Sequence, residues 1–315
     1  MLFNWRGGVA FVIGGIVAVT VGAKGADGSI TLATYNVENY VRASRIVDGI
    51  YRPDYPKPEA EKAALRRVIA GLSADVLALQ EMGPPPYLEE LRQDLRAEGI
   101  DYPYSALVEA ADADRHVAIL ARIPWQSLQR HEILVTGFAP GARVKRGVLE
   151  ARFSRERGDF TIFVVHLKSQ LTETGDDPAS ARQRRAEAAA VRDLVLVRFP
   201  EPEKARFIVC GDWNDSRDSD TVRIMLRRGA NRLGVLLPAA DSRGETWTHH
   251  FLRADSYSRL DYFLVSPGWS GEIADSRATI YDGPGTLIAS DHRPVFVRII
   301  GGRATAPAND ARTRN

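Results

Sequence analysis

Apolar positions in this chain recur with two spacings, and the spacing changes repeatedly between residues 29 and 300. Ser29-Ile30-Thr31-Leu32-Ala33-Thr34-Tyr35 alternates as a half-buried strand does, and it ends at Asn36-Val37-Glu38-Asn39. Three prolines between Tyr51 and Pro58 predict a loop. Helical spacing follows over Glu59–Leu72, through Ala63, Leu65, Val68, Ile69 and Leu72. Asp75–Glu81 is then an apolar strand closing on a carboxylate, and Pro84–Pro86 open a second helix over Tyr87–Ala97. Strand patterns occupy 102–108, 116–121, 131–135 and 144–153, before the longest β-rich run, Asp159–His166, which ends on a histidine. A charged helix spans Ser180–Arg198, with Ala189, Val191, Leu194, Val195 and Val197 on its apolar side. The run Arg206–Cys210 predicts a buried strand stopping at Gly211, and a short helix covers Asp220–Arg228. Strand-like segments at 259–266, 278–281 and 294–300 complete the pattern. From Gly301 little is left to bury, so 301–315 is expected to be a disordered tail.

Alternating helices and strands would suit a parallel sheet, but the strand-rich middle and end, with short connections, fit an antiparallel sandwich covered by helices better. No internal repeat or linker-like break in composition divides the chain, so residues 29–300 read as one domain.

Composition narrows the partners. A net charge of +2 over 315 residues gives no general attraction to polyanions, so any nucleic-acid affinity needs a local patch. Arg182, Arg184 and Arg185, with Lys145 and Arg146 elsewhere, are the candidates for one, against the plainer reading of solvated helix faces. Cys210 is the single cysteine, which excludes an internal disulfide and a cysteine-based zinc site, and its apolar neighbours make it a buried small hydrophobe. The N-terminus differs in kind. Arg6 precedes the uncharged stretch Gly7–Ala23, which fits a secretory signal over residues 1–26 cut after Ala23 or Ala26, the alternative being an uncleaved membrane anchor. Export to a periplasmic or extracellular space is the expectation, with membrane contact only through that segment if it is retained.

Strand after strand ends in a group suited to metal-assisted chemistry: Asn36 and Glu38, Glu81, His166, Asp212 and Asn214, Asp261, and Asp291-His292. Taken singly, each asparagine is a turn residue, Glu81 a helix cap and His166 a satisfied strand-end histidine. Asp261 is harder to dismiss, since an unpaired carboxylate inside an apolar run is costly. Their coincidence at strand ends points to a site.

The stretches Thr34-Tyr35-Asn36-Val37-Glu38-Asn39, Leu79-Gln80-Glu81, Val165-His166-Leu167, Gly211-Asp212-Trp213-Asn214, Arg259-Leu260-Asp261-Tyr262-Phe263 and Ser290-Asp291-His292-Arg293-Pro294-Val295 occur in an order that resembles the endonuclease/exonuclease/phosphatase superfamily. That superfamily includes deoxyribonucleases, abasic-site endonucleases, neutral sphingomyelinases and inositol polyphosphate 5-phosphatases. The resemblance implies an α/β (α+β) fold: a four-layer sandwich of two mostly antiparallel β-sheets face to face, with helices outside. It also implies hydrolysis of a phosphate ester with Mg2+, or Mn2+ in its place, by one catalytic domain over 29–300. By position, Glu81 is the expected metal ligand, helped by Asn36, Glu38 and Asp291; such a hard cation takes carboxylate and amide oxygens. Asp212 would activate the water, and Asn214 would hold the water or a phosphoryl oxygen. His292 would face the phosphate with Asp261 fixing its tautomer, and His166 would protonate the leaving group or bind phosphate. Glu38 stands where several members carry aspartate. Lys168 reads equally as a phosphate contact or a solvated cation.

For the substrate, Trp247 is a base-stacking or a core tryptophan, and His249 and His250 read as surface residues. No long exposed apolar insertion stands out, Val235-Leu236-Leu237 being too short, which favours an exported nuclease or phosphodiesterase acting on nucleic acid. The alternatives are a sphingomyelinase-like or inositol-phosphate hydrolase and a catalytically dead binding module. A monomer without a stable protein partner is expected.

Overall fold

The computed structural model describes residues 28–305 except 173, 174, 270 and 303. The signal or anchor expected over 1–26 and the tail beyond 305 lie outside the described residues. In chain order the main elements begin with β1 (Ile30–Tyr40), β2 (Ala43–Val47), β3 (Ile50–Tyr55), α1 (Glu59–Leu72), β4 (Val76–Met82) and α2 (Pro85–Ala97). They continue with β5 (Tyr104–Val108), β6 (His116–Ala121), β7 (Trp125–His131), β8 (Val148–Arg155), β9 (Phe160–His166), α3 (Ala181–Arg198), β10 (Phe207–Asp212) and α4 (Asp220–Leu226). Three later strands, Asp261–Val265, Ala278–Ile280 and Val295–Ile299, join the two large sheets, and two-residue strands at Val235–Leu236, Ala239–Ala240 and Ala304–Thr305 extend their edges.

The first sheet runs from Ala239–Ala240 through the Ala278 and Val295 strands to β1, β4, β6 and β5; the second runs from Val235–Leu236 through the Asp261 strand, β10 and β9 to β8, on which β7 and Ala304–Thr305 pair. Most neighbours are antiparallel, with β1–β4 and β9–β10 the parallel pairs at the two centres. Residue alternation sorts the strand side chains into layers. Leu32, Val76 and Ala78 of the first sheet meet Ile162, Val164, Ile208, Cys210 and Phe263 of the second in one apolar layer. Ala33, Tyr35, Leu77 and Leu79 face the other way, onto Leu65, Val68 and Ile69 of α1 and Leu91 of α2. Phe163, Val165 and Val209 likewise pack on Val191 and Val195 of α3 and on Val222 and Met225 of α4. The result is the expected four-layer sandwich. Each fully buried Val, Leu or Ile contributes about 1.5–3 kcal/mol, so three apolar layers are ample to hold two sheets in register.

Those same alternations place polar residues. Asn36 follows Leu32 and Thr34 on the inter-sheet face of β1, His166 follows Ile162 and Val164 on β9, and Asp212 follows Ile208 and Cys210 on β10. The two sheets therefore present polar strand ends at one rim of an otherwise apolar layer.

Four local expectations change. The proline-rich stretch is not a loop: Ile50–Tyr55 pairs with Ala43–Val47 in a separate hairpin. Its turn is Asp48-Gly49, both in the left-handed region (φ 53° and 75°), as a two-residue hairpin turn requires. Pro53 is tolerated because this two-stranded ribbon has outer edges with no pairing to lose. The strand expected over 131–135 instead occupies Trp125–His131, where it edges β8. Val148–Arg155 replaces the earlier start at 144, Gly147 having φ 66° before the strand begins. Ala304–Thr305, placed in the tail, pairs with Arg155 and Ser154 of β8. Among the described residues no helix is long and apolar enough to cross a membrane.

Candidate active site

Asp212 is the centre of a row built by strand register. It pairs with His166 on parallel β9 and with Asp261 on the antiparallel neighbour, so three adjacent strands deliver three polar side chains at one level. Gly211 makes the close approach possible: at φ 139°, a Cβ there would lie 1.9 Å from the Val165 carbonyl oxygen. The opposite sheet answers with Asn36, whose Nδ2 donates to Asp212 Oδ2 at 3.0 Å and to Glu81 Oε1 at 3.3 Å. One amide thus ties a carboxylate of each sheet together.

Glu81 reaches this point by a backbone irregularity. Strict alternation after Val76, Ala78 and Gln80 would aim residue 81 at the helix layer. The β4–β6 register slips between Leu79 and Met82, and Glu81 adopts φ 60°. This bulge re-aims the carboxylate, which accepts the Asn39 N–H at 2.9 Å. On β1 the register with β4 breaks between Asn36 and Tyr40, and Glu38 and Asn39 both take φ 49°. Left-handed backbone at three non-glycine residues costs about 1–2 kcal/mol each and persists where surrounding structure fixes it.

His292 stands across Asp212. Its Nδ1 is 2.8 Å from Asp261 Oδ2, and its Nε2 is 3.8 Å from Asp212 Oδ2. Ser290 secures the loop by donating to the Asn36 carbonyl and accepting the His292 N–H. Thr248 Oγ1 accepts the N–H groups of Leu260 and Asp261. His166 is buried with neither ring nitrogen hydrogen-bonded, its Nε2 lying 3.5 Å from Asp212 Oδ2 and 3.9 Å from Glu81 Oε1. A buried imidazole so placed has spare capacity for a further oxygen. Asn214, at φ 53°, donates its backbone N–H to Asp212 Oδ1 and its side-chain amide to the Leu167 carbonyl.

Burial and neighbours separate the titrations. Burial, with Asp261 alongside, pushes the Asp212 carboxyl up to about 7, against His292 and two N–H donors that pull it down. Burial alone would lower His292, but the carboxylates of Asp261 and Asp212 hold it well above the usual imidazole range. His166 moves the other way, buried and surrounded by Arg146, His292 and Arg115, and it stays neutral. Burial and Asp291 raise Glu38 to about 7, Lys57 opposing them. Asp291 is lowered despite its burial, by His249 and His292.

The donor set suits a hard divalent cation. Glu38 is crowded electrostatically by Asp291 and Glu81 and accepts the Asp291 N–H at 3.2 Å, so a cation beside Glu38 would relieve both repulsion and desolvation, although the three carboxylates do not converge within 4.8 Å as they stand. Asn36 fits less directly. Its Nδ2 faces the carboxylates while its Oδ1 accepts the Glu38 N–H at 3.0 Å, so metal ligation needs the amide to turn over.

Other candidates fall away from the site. Arg184 binds Asp215 and two carbonyls, and Arg146 binds Asp112 and the Leu167 carbonyl, so both buried arginines are structural. Lys168 is buried, with its ammonium on the Ser169 and Leu171 carbonyls. Trp247 is half-buried, with the Arg293 guanidinium 3.5 Å from its ring centroid. Two residues that the sequence did not assign to the site stand beside it, Lys57 and His249, the latter read there as a surface residue. Lys57 reaches the Glu38 carbonyl at 3.1 Å, and only its place between two prolines marked it. His249 lies 3.6 Å from Asp291 Oδ2 and pairs with His292 across an isolated β-bridge. No local signal announces a bridge between segments so far apart in sequence.

A family model described as Endonuclease/Exonuclease/phosphatase matches residues 33–292. No curated protein sequence matches the chain. Among solved structures, the human Nocturnin catalytic domain with bound sulfate aligns at TM-score 0.58 and 17% identity, over 88% of this chain and 95% of that one. Sphingomyelinase C from Streptomyces griseocarneus gives 0.57 and 18%, over 87% and 99%. A Staphylococcus aureus beta toxin mutant with bound magnesium ions gives 0.59 and 14%, over 85% and 99%. At these identities the likeness is one of fold.

Proposed function

The chain belongs to the endonuclease/exonuclease/phosphatase family, whose members are generally divalent-metal-dependent phosphoester hydrolases, and from that premise we propose that it is an exported phosphodiesterase with nucleic acid as its first candidate substrate. The observation that carries this reading is Asp212 flanked in register by His166 and Asp261, with the Asp261–His292 pair across from it. A dead binding module would have no use for a buried carboxylate tuned to about 7 beside an imidazolium.

In this mechanism Asp212 takes the proton of the attacking water, its Oδ1 and Oδ2 steadied by Asn214 and Asn36. Asn214, its amide plane fixed on the Leu167 carbonyl, orients that water. His292 donates from Nε2 to a phosphoryl oxygen, Asp261 supporting the charge through Nδ1. The 3.5–3.9 Å separations among His166, Glu81, Asp212 and His292 are too long for direct hydrogen bonds and suit an intervening oxygen. His166, neutral and unpartnered, binds that oxygen or relays a proton to the leaving group. Glu81, Glu38 and Asp291 would hold Mg2+ or Mn2+, with Asn36 after its amide turns, and the cation supplies charge neutralisation at the phosphate.

One observation favours a second reading, an amphiphilic phosphodiester of the sphingomyelin type. Two hairpins beside the cleft carry exposed apolar residues: Ile46, Ile50 and Tyr51 on one, Phe251, Leu252 and Tyr257 on the other. The sequence carries no long apolar insertion, and the exposed apolar residues sit on these two short hairpins instead. Each is assembled from residues scattered over a short ribbon, so no continuous apolar run marks it. The arginines expected to meet a nucleic-acid backbone include two that are buried in internal ion pairs, which weakens the case for a preformed polyanion track.

The test is hydrolysis of bis-p-nitrophenyl phosphate with Mg2+ and with EDTA, followed by plasmid DNA, RNA, sphingomyelin vesicles and inositol phosphates. Metal-dependent turnover of the diester is expected. Folded protein inert towards every substrate in the panel would overturn the proposal.

A further inference from the structure

His249, Asp291 and His292 offer three ligand atoms that all lie within 4.8 Å of one another. Donor atoms each about 2 Å from one ion stand at most about 4 Å apart, so the His249–Asp291 pair at 3.6 Å already has that spacing and the third donor closes by less than an ångström through side-chain rotation. This triple differs in chemistry from the carboxylate group at Glu38 and Glu81, since two of its three donors are imidazoles. Imidazole suits zinc, nickel and copper, whereas magnesium and calcium select oxygen.

The backbone, and not side-chain flexibility, sets the spacing. His249 and His292 face each other in an antiparallel bridge. The His250 N–H on the Asp291 carbonyl (2.9 Å) and the Arg293 N–H on the Thr248 carbonyl (2.6 Å) hold the two segments together. The two rings stand 4.6 Å apart at 45°, and His249 Nε2 is 3.6 Å from Asp291 Oδ2. A second feature prepares His292 as a ligand. With Nδ1 committed to Asp261 at 2.8 Å, Nε2 is the nitrogen left for a metal, and a carboxylate behind a ligating histidine raises its basicity. Side-chain exposures of 17%, 39% and 6% for His249, Asp291 and His292 leave the position open enough for entry and a coordinating water.

We propose that His249, Asp291 and His292 form a binding site for a zinc-class transition-metal ion, and that occupation of this site inhibits the enzyme. The consequence follows from shared ligands. An ion here displaces the Nε2 proton of His292 to solvent, so that nitrogen no longer serves the phosphate, and it draws Asp291 away from the carboxylates that serve the hard cation. The protein then discriminates cations by position, one supporting turnover and the other stopping it.

Binding is read first, without activity. Isothermal titration of Zn2+ into the full chain stripped of metal, and the d–d absorption of Co2+ as a spectroscopic probe, should show one site with mixed nitrogen and oxygen ligation that millimolar Mg2+ does not displace. His249→Ala should weaken Zn2+ binding at least tenfold, and His249→Gln, which preserves volume, should do the same. Zinc should inhibit the magnesium-supported reaction, and His249→Ala should raise the inhibitory concentration by a similar factor relative to that variant's own uninhibited rate. Unchanged Zn2+ affinity in both folded variants, or zinc that magnesium displaces fully, would overturn the site. Loss of hydrolysis with intact zinc binding would instead count against the phosphodiesterase reading alone.

Discussion

Asp212 is 1% exposed, accepts hydrogen bonds at both carboxylate oxygens, and faces two imidazoles with opposite tuning. Replacing it with Asn keeps the shape and removes a buried charge, so the fold should survive while a proton acceptor is lost. Asp212→Asn is expected to lower kcat by about 10²-fold or more while the protein stays folded, with a modest fall in Tm because the amide NH2 meets one of the two N–H donors; turnover within tenfold of the parent would remove Asp212 from the role of base. The same residues set a pH profile. Asp212 acts without its proton, so the active fraction falls as pH drops through about 7. His292 acts with its proton, so the active fraction falls as pH rises through its elevated value. The kcat/KM profile should be bell-shaped, with an acid limb at or below about 7 because a cation in the cleft favours the ionised carboxylate. A profile with no alkaline limb would contradict the imidazolium. At this scale much was legible: Asp212, Asn214, Asp261, His166 and His292 meet as the strand-end pattern suggested. His249 was not, because its significance lies in a bridge to a segment 43 positions away (292 − 249).

Elements decide how those residues are aimed. Gly211 leaves no room for a side chain against the Val165 carbonyl of β9, and its φ of 139° is one that a side chain rarely adopts. Gly211→Ala combines backbone strain with a clash against the Val165 carbonyl, each worth about 1–3 kcal/mol. A Tm drop of more than 5 °C or insolubility is expected; a fully stable variant would show that the strands can separate locally without cost. The Glu81 bulge was beyond sequence reading, since alternation along β4 aims residue 81 at the helices and only the slipped register returns it to the cleft. The β2–β3 hairpin, by contrast, had its signal in Asp48-Gly49, masked by Pro53 and Pro56. The hairpin at 249–258 separates the substrate readings. Phe251→Ser with Leu252→Ser should reduce vesicle binding and sphingomyelin hydrolysis at least fivefold while sparing a soluble diester; equal losses on both would point to a structural effect.

The whole molecule is a device for bringing two sheet rims together. Asn36 and Glu81 come from one sheet and Asp212, His166 and Asp261 from the other, and the apolar layer between them fixes their separation. Metal should therefore be coupled to stability. An ion that relieves the crowding of Glu38, Glu81 and Asp291 binds the native state preferentially, adding about 2.7 kcal/mol at a hundred times its Kd. Addition of Mg2+ or Mn2+ should raise Tm by several degrees and EDTA should reverse the shift along with activity; a metal-independent Tm would argue that the carboxylates hold no cation. By itself the sequence determined the layers, because apolar periodicity states which face of each strand and helix avoids water, and it determined which polar residues end those strands. Tertiary structure alone decided register, the bulge at Glu81, the left-handed turn at Glu38-Asn39 and the His249–His292 bridge. These depend on which strands become neighbours, and a pairing choice between distant segments leaves no trace in the local pattern of either.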